Sequence, residues 1–521
     1  MTLIVMDGGP LPPDLQSPLR PNQSQPSSVP YARRPVSRET RPFVKPPPQH
    51  PSRLVPSLPR VAIMDRKESS PMAPPFMVSA PGKVIVCGEH AAIYGQPTIA
   101  ASISLRSYLL VTTLSKSKRT IRLKFKDLGL DHTWDINSLP WDLSGRQKQS
   151  YVSTVTAIDQ ELLQAILPHA NAVSPHLDEK QRQTHVRPAI AFLYLFLCLG
   201  DRHSPGAIYT LRSTIPIGAG LGSSASVCVC ISAAILLQIR ALAGPHPKQP
   251  VQEAELQIQR INDWAFVGEL CIHGDPSGVD NTISAGGKAV IFRRHDNDRP
   301  TVTPLLGFPK VSVLLVDTRH PRSTATQIEK VKILKSQEPA VTQAILNAIG
   351  QVTSSAIEHI KSDDGQENGG DGVLGQLGTL MRVNHGLLVS LGVSHSRLEQ
   401  IRELVDDPDI GWSKLTGAGG GGCALAMLRP GVDETTLETL IQTLDDRGFR
   451  TYKTTLGCDG VGVLWPATFR DGTGSTAGEE INEELFEGAV GPDGLDRLVG
   501  PTTQGSLIGW KFWKREVIPM V

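Results

Sequence analysis

The chain has 521 residues, which is too long for one small domain and predicts two folded domains with additional segments. Its 52 lysines and arginines nearly balance 51 aspartates and glutamates, and this balance gives no reason to expect nucleic-acid or membrane-surface binding. The seven cysteines lie mostly in apolar runs without metal-ligand spacing, so we expect reduced, buried thiols in a cytosolic setting.

Residues 1–75 contain 18 of the 41 prolines and almost no apolar periodicity. Such a segment buries too little apolar surface to offset the entropy lost on ordering, which predicts a disordered Pro-rich tail. The first ten residues have neither a basic start nor an adequate apolar stretch, so no secretory signal peptide is expected. We expect a cytoplasmic location and leave a peroxisomal one open.

Strands and helices alternate through the first half of the folded region. The segment "FMVSAPGKVIVCGEHAAIYG" (76–95) predicts two strands separated by a turn at Pro81 and Gly82. Further strands are predicted over 107–114, 121–127 and 207–218. Helices are predicted over Ala189–Gly200, Ser224–Ala243 and Val251–His273, the first as an apolar core helix too short to span a bilayer.

The second half has the same mixed character. Strands are predicted over 288–294, 311–319, 421–429 and 461–466, with helices over 324–360, 377–404 and 434–447. The segment "KSDDGQENGGDG" (361–372) is predicted to be an acidic surface loop. We therefore expect an α+β protein with an N-terminal domain over 76–304, a C-terminal domain over 305–466 and a low-complexity extension over 467–521.

A glycine-rich segment, "PIGAGLGSSAS" (216–226), precedes the second predicted helix. A helix N-terminus has unpaired N–H groups and a partial positive charge that suit a phosphate, and glycines let the backbone approach it closely. The segment matches neither the Walker A nor the dinucleotide pattern, and close packing of a helix on a strand is the alternative explanation. The residues predicted to bind ATP phosphates are Pro216, Gly218, Ala219, Gly220, Leu221, Gly222, Ser223 and Ser224.

Two more motifs accompany this loop, "APGKVIVCGEHAAIYG" (80–95) before it and "KLTGAGGGGCALAML" (414–428) after it. Together and in this order, the three motifs resemble those of the GHMP kinases. The segments "GELCIHGDPSGVDNTIS" (268–284) and "DTRHPRSTA" (317–325) are most similar to the members of that family that phosphorylate mevalonate. The third motif formally contains G-x-G-x-x-G, but a strand is predicted after it, so a dinucleotide site is not expected there.

The resemblance implies a fold and an activity. The fold is the two-domain GHMP kinase fold, with an N-terminal domain like ribosomal protein S5 domain 2 and a ferredoxin-like C-terminal domain. The activity is ATP-dependent phosphorylation of mevalonate to 5-phosphomevalonate, in the pathway to isoprenoids and sterols. A homodimer with no nucleic-acid partner and no stable membrane insertion is also expected.

The resemblance also implies the residues that carry the chemistry. Asp280 would accept the proton of the acceptor hydroxyl, and Lys83 would hold that carboxylate ionised and polarise the hydroxyl. Glu269 and Ser224 would hold Mg²⁺, which prefers oxygen ligands. Taken alone, Asp280 is more easily explained as a turn residue or helix cap, and Glu269 as a solvated helix end, although the apolar residues around Glu269 weaken that explanation.

The expected mevalonate pocket combines cations with polar hydrogen-bonding groups. The residues nominated for it are Lys83, Glu89, His90, Asp280, Thr324, Gly417, Ala418 and Gly419. Arg322 and Ser323 are weaker candidates, and Thr324 is alternatively a helix N-cap. Two positions depart from the commoner family pattern, Asp275 where asparagine is usual and Ser226 where alanine is usual.

The sequence leaves three alternatives open. One is a related kinase that acts on phosphomevalonate, homoserine or galactose. Another is a non-catalytic GHMP-fold sensor, although such a protein need not retain both a base and a metal ligand. The third is a membrane-tethered scaffold that uses "GWKFWKRE" (509–516), although docking of this segment onto the folded body is the stronger expectation.

Overall fold

The computed structural model describes residues 74–144, 157–295, 300–321, 323–362, 372–469, 479–499, 502–503, 506–507 and 509–515. The strands are β1 (Phe76–Cys87), β2 (Thr98–Thr113), β3 (Thr120–Phe125), β4 (Leu130–Asp135), β5 (Ala207–Ser213), β6 (Ala289–Arg293), β7 (Thr301–Leu305), β8 (Val311–Asp317), β9 (Gly411–Leu415), β10 (Cys423–Leu428), β11 (Arg450–Leu456), β12 (Gly462–Leu464), β13 (Thr468–Phe469), β14 (Glu479–Glu480), β15 (Thr502–Thr503), β16 (Ser506–Leu507) and β17 (Lys511–Phe512). The helices are α1 (Trp141–Ser144), α2 (Gln160–Asn171), α3 (Glu179–Leu199), α4 (Ser223–Gln238), α5 (Val251–His273), α6 (Val279–Gly286), α7 (Thr324–Gln337), α8 (Pro339–Lys361), α9 (Gly372–Ser390), α10 (Ser396–Val405), α11 (Glu434–Asp446), α12 (Glu483–Gly488) and α13 (Gly491–Leu498).

Strand β2 is the centre of a mixed sheet. It pairs antiparallel with β1, β5 and β6, and its residue Ile103 pairs with Leu456 of β11. From β11 the sheet continues through β8, β10 and β9, while β3 joins β5 in parallel. The long strand β2 therefore connects the strands of the N-terminal half to those of the C-terminal half, and the α+β class is confirmed.

Strand β1 runs without interruption from Phe76 to Cys87, so the turn predicted at Pro81 and Gly82 is wrong. The pairing of β1 with β2 shifts register between Pro81 and Lys83, whose partners are Arg106 and Ser102, so the extra residues at this irregularity lie on β2. A side chain on Gly82 would place its Cβ 2.7 Å from the carbonyl oxygen of Leu221, and the Lys83 N–H donates to that same oxygen at 2.8 Å. These contacts attach the glycine-rich loop to the strand that carries Lys83.

The predicted helices are largely confirmed. Helix α5 has the predicted bounds, and the predicted core helix forms the buried C-terminal half of α3. The helical stretch 324–360 is two helices, with Pro339 at the first position of the second, where its missing N–H costs nothing. Strand β11 was not predicted, because its polar sequence "RTYKTTL" lacks an apolar alternation.

Helix α4 is apolar on all sides and lies at the centre of the N-terminal half. Its residues from Ala225 to Leu237 are buried, and it packs against α3, α5, α6, β1 and β2. All seven cysteines are buried and free, as the sequence predicts. This core gives the N-terminus of α4 and the neighbouring helices α5 and α6 a rigid support.

The described parts of the C-terminal extension pack on the folded body, which confirms the docking expected for 509–516 over its described residues and was not expected for the acidic, Gly-rich residues before them. Strand β17 pairs with β12, and Phe486 and Leu495 are buried in a cluster with Tyr108. The indole of Trp513 is buried and donates to the Gln257 side chain at 2.7 Å. Phe486, Leu495 and Trp513 are therefore part of the protein's core, whereas Leu485 and Val490 are exposed. Among the described residues, no helix has the length and apolarity needed to cross a bilayer.

Candidate active site

A pocket lies between the glycine-rich loop, helices α5 and α6, and the loop that joins β9 to β10. The described residues that line it are Phe125, Leu128, Pro216, Ile217, Gly218, Gly220, Leu221, Gly222, Ser223, Ser224, Glu269, His273, Pro276, Ser277, Gly278, Asp280, Asn281, Thr324, Gly417 and Ala418. All three sequence motifs are close to this pocket, although the first (80–95) and the third (414–428) lie more than 300 residues apart in the chain. Of the residues predicted to bind phosphates, Ala219 is the one that does not line it.

The glycine-rich loop has the backbone conformation that its sequence requires. Gly218, Gly220 and Gly222 have φ values of 75°, 76° and 73°, which residues other than glycine rarely adopt. Gly222 is the N-cap of α4, and Ser223 and Ser224 form its first turn. The first N–H groups of a helix have no intrahelical acceptor, so this helix end presents donors and a positive dipole to the pocket.

Lys83 and Asp280 form an ion pair directly beside this loop. The Lys83 ammonium lies 3.3 Å from Asp280 Oδ1, and the two side chains are 2 % and 28 % exposed. A Cβ on Gly222 would lie 3.0 Å from Lys83 Cγ and 3.6 Å from Asp280 Oδ2. The loop, the lysine and the carboxylate therefore meet at one point, and the carboxylate keeps access to the pocket.

Glu269 of α5 directly follows Gly268, and at this glycine α5 and α4 lie close together. A Cβ on Gly268 would lie 2.9 Å from the Cys228 sulfur of α4. This close approach brings the buried Glu269 to the N-terminus of α4, where its Oε1 has no hydrogen-bond partner among the described residues. Burial, and then the nearby charge of Asp280, raise the pKa of Glu269 to about 8.

His273 lines the pocket and was not predicted from the sequence. Its Nε2 lies 3.2 Å from Ser224 Oγ and 3.9 Å from Glu269 Oε2, one helical turn earlier on α5. Burial lowers the pKa of His273, which favours the neutral ring. Its position four residues after Glu269 could have indicated its place in the site, since residues four apart share one helix face.

The opposite end of the pocket comes from the C-terminal half. Thr324, Gly417 and Ala418 line it. Thr324 is not the N-cap of α7, because Ser323 takes that position and its hydroxyl accepts from the Thr326 N–H at 3.3 Å. Arg322 lies outside the described residues.

Glu89 and His90 are close to the pocket without lining it. The Glu89 carboxylate pairs with Lys414 and accepts from Asn384 Nδ2 at 2.9 Å. His90 Nε2 lies 2.9 Å from the carbonyl oxygen of Ala418. The Glu89 carboxylate and His90 Nε2 are therefore engaged with the C-terminal half, and Gly419 is likewise absent from the described lining.

The two positions that depart from the family pattern lie outside the reacting centre. Asp275 is exposed and is not among the described pocket residues. Ser226 is buried on α4 and its hydroxyl donates to the carbonyl oxygen of Ala80 at 2.7 Å. This bond adds a further attachment of α4 to β1.

Family models match two parts of the chain, "GHMP kinases N terminal domain" at residues 189–288 and "GHMP kinases C terminal" at residues 368–444. The chain is 63 % identical over 459 residues to a mevalonate kinase of Aspergillus fumigatus, covering 87 % of this chain and 84 % of the relative. The chain belongs to the mevalonate kinase family. A human mevalonate kinase is 33 % identical over 394 residues, covering 74 % of this chain and 94 % of the relative.

A solved structure of a mevalonate kinase from L. major, in complex with R-mevalonate, is similar with a TM-score of 0.50. It is 22 % identical, and the match covers 73 % of this chain and 94 % of that one. At this identity the likeness concerns the fold, and it confirms the predicted GHMP kinase fold. The chain is thus a kinase of the mevalonate kinase family, and ATP is the co-substrate that this membership implies.

Proposed function

We propose that this protein transfers the γ-phosphoryl group of ATP to the primary hydroxyl of mevalonate, giving 5-phosphomevalonate and ADP. The observation that carries the proposal is the ion pair of Lys83 with Asp280, at 3.3 Å, beside the glycine-rich loop. A sensor without catalytic activity needs no partly accessible carboxylate at this point. Family membership supports mevalonate as the acceptor over the other small alcohols.

The nucleotide occupies the end of the pocket formed by the N-terminal half. Phe125, Leu128, Pro216 and Ile217 give that end an apolar wall that suits a base. The adjoining N-terminus of α4 provides N–H groups and a positive dipole for the phosphates. This order places the γ-phosphate towards Lys83 and Asp280.

The acceptor hydroxyl reacts between the γ-phosphate and Asp280. Asp280 takes the hydroxyl proton while the oxygen forms its bond to the γ-phosphorus, and the bond from that phosphorus to the β–γ bridging oxygen breaks. The bridging oxygen leaves with ADP, which carries the electron pair away. Lys83, whose ammonium lies 3.3 Å from Asp280 Oδ1, stabilises the negative charge that develops on the transferred group.

Glu269 and Ser224 are the residues that would hold Mg²⁺. Their fit is supported by the buried Glu269 Oε1, which lacks a partner among the described residues, as a cation-binding oxygen does before its ion arrives. When bound, the ion neutralises charge on the phosphates. No group of three or more His, Cys, Asp or Glu residues suited to a metal occurs within the described ranges, so phosphate oxygens and water would complete the shell.

The test is turnover by the full-length chain with mevalonate, phosphomevalonate, homoserine and galactose, each with and without magnesium. We expect ADP release that depends on magnesium and is fastest with mevalonate. Faster turnover with another acceptor would overturn the substrate assignment, and absence of turnover with all four would overturn the kinase proposal. The homodimer and the cytoplasmic location remain predictions, checked by analytical ultracentrifugation and by imaging of the tagged chain.

A further inference from the structure

We infer that Lys414 and Asn384 are positioning residues, which act through Glu89 to set the acceptor end of the pocket. The inference rests on the proposed function, because it assigns the acceptor to the end lined by Thr324, Gly417 and Ala418. Lys414 and Asn384 are not among the described residues that line the pocket. Any effect they have on substrate must therefore be transmitted.

The ion pair formed by Lys414 and Glu89 is deeply buried and joins distant parts of the chain. Its side chains are 0 % and 1 % exposed, and the residues are 325 positions apart. The Lys414 ammonium also donates to the carbonyl oxygen of Leu415 at 2.6 Å, while the second Glu89 oxygen accepts from Asn384. Both carboxylate oxygens are thus engaged, which corrects the expectation that Glu89 is available to the substrate.

Burial of two charges is costly, and apolar residues of similar size often stabilise a fold as well or better. We therefore explain this buried ion pair by the alignment that it imposes on the two segments it joins. The alignment here is between β1, which carries Lys83, and the loop that follows β9, which carries Gly417 and Ala418. Losing one partner would leave the other charge buried and unpaired, and the two segments would separate or rotate.

Three further bonds join the same two segments. His90 Nε2 contacts the Ala418 carbonyl oxygen at 2.9 Å. The Thr416 hydroxyl donates to the Ile85 carbonyl oxygen at 2.9 Å, and the Ile85 N–H donates back to Thr416 at 3.2 Å. The two Thr416 bonds hold β1 at Ile85, whereas the ion pair lies beyond the last residue of β1, where Gly88 has a φ of 100°.

The arrangement predicts a selective effect on the acceptor. The nucleotide end depends on the loop before α4, which does not contact Lys414 or Asn384 in the described hydrogen bonds. A shift of the loop after β9 would misplace mevalonate and leave ATP unaffected. A misplacement of about 1 Å costs up to about a hundredfold in rate.

The experiment compares Lys414→Met, Glu89→Gln, the double variant and Asn384→Leu in the full-length chain. We expect the KM for mevalonate to rise at least about tenfold in both single ion-pair variants, with the KM for ATP within about twofold. The double variant should be no worse than either single variant, because the two residues act as one unit. Asn384→Leu should raise the KM for mevalonate by a smaller factor of about three to five, since the ion pair remains.

The matched control is Lys453→Met, which removes a strand lysine from an exposed pair with Glu434, with side chains 52 % and 67 % exposed. It should leave both KM values unchanged, because exposed pairs contribute little. If the Lys414 and Asn384 variants unfold at a lower temperature but keep the KM for mevalonate, Lys414 and Asn384 contribute to stability alone. That result would overturn the inference. Equal increases in both KM values would overturn it as well.

Amide hydrogen exchange provides a readout that does not need turnover and that applies if a variant folds poorly or mevalonate is not the acceptor. In Glu89→Gln, exchange should accelerate at residues 88–91 and 415–419 and stay unchanged at 218–224. Unchanged exchange at the first two segments would overturn the positioning role. An inactive wild-type chain would instead overturn the proposed function, so the two failures are distinguishable.

Discussion

Two glycine-rich loops border the pocket, and their glycines serve different purposes. In the loop before α4, a Cβ on Gly218 would meet no heavy atom within 4 Å, and the neighbouring Ile217 is 45 % exposed. In the loop between β9 and β10, a Cβ on Gly419 would lie 2.1 Å from the Val393 carbonyl oxygen, and one on Gly420 would lie 2.2 Å from Gln327 Nε2. The first loop is open to the pocket and the second is packed.

The two loops also differ in whether their backbone N–H groups already have hydrogen-bond acceptors. In the packed loop, the Gly420 N–H donates to Val393 at 2.7 Å and the Gly422 N–H donates to His320 at 3.4 Å. The open loop leads into a helix, whose first N–H groups have no intrahelical acceptor. A helix after the glycines therefore indicates a loop that can bind a ligand, whereas a strand after them indicates a loop whose glycines serve close packing. Glycine spacing alone does not distinguish the two.

The largest expected effect concerns the carboxylate that faces the open loop. Asp280→Asn removes the proton acceptor and its charge while keeping the shape of the side chain. We expect kcat to fall by about three orders of magnitude with ATP still bound, as measured by steady-state kinetics and nucleotide titration. Asp275→Asn is the matched control, because it removes an exposed carboxylate outside the pocket lining, and it should change kcat less than about twofold. Near-normal turnover by Asp280→Asn would exclude Asp280 as the base.

A substitution in the packed loop should affect stability first. In Gly419→Ala, the new methyl group would clash with the Val393 carbonyl oxygen at a residue whose φ is 75°. We expect a loss of about 2–4 kcal/mol in the free energy of unfolding, measured by chemical denaturation. An unchanged free energy of unfolding would contradict the packed description of this loop.

The equivalent substitution in the open loop should affect nucleotide use first. In Gly222→Ala, the Cβ would lie 3.0 Å from Lys83 Cγ at a φ of 73°. We expect a rise of about tenfold in the KM for ATP and a loss of only about 1 kcal/mol in stability. Gly218→Ala is the control, since its Cβ would enter open space, and it carries the backbone strain without the contact. If both variants behave alike, strain alone explains the effect.

Acid should also weaken the support of the packed loop. His385 accepts from the Leu415 N–H at 3.1 Å, next to this loop, and burial followed by the charge of Arg402 lowers its pKa to about 4. The unfolded chain binds this proton below about pH 6.5 and the folded chain does not, so stability falls with falling pH by up to about 1.4 kcal/mol per unit. His385→Gln should show a shallower slope between about pH 6 and 4 in denaturation series. An identical slope would contradict the neutral, buried imidazole.

The sequence located the open loop and the Lys83–Asp280 region because each motif is local and chemically distinctive. It did not show that Glu89 is closed off by Lys414, since a pair 325 residues apart leaves no local pattern. The continuous strand at Gly82 was mistaken for a turn for a related reason, because the requirement for glycine comes from Leu221 of another segment. The sequence predicted the docking of 509–516 but not the burial of Phe486 and Leu495, because these two residues stand in an acidic, Gly-rich segment and gain their burial in a cluster with Tyr108 of β2.

Amide hydrogen exchange of both glycine-rich loops, with and without magnesium and a non-hydrolysable ATP analogue, is the most direct check on how this pocket holds its nucleotide. Exchange should slow markedly at residues 218–224 when the analogue binds and change little at 417–422. Protection confined to 417–422, or absent from 218–224 at saturating analogue, would contradict the assignment of the open loop as the phosphate cradle.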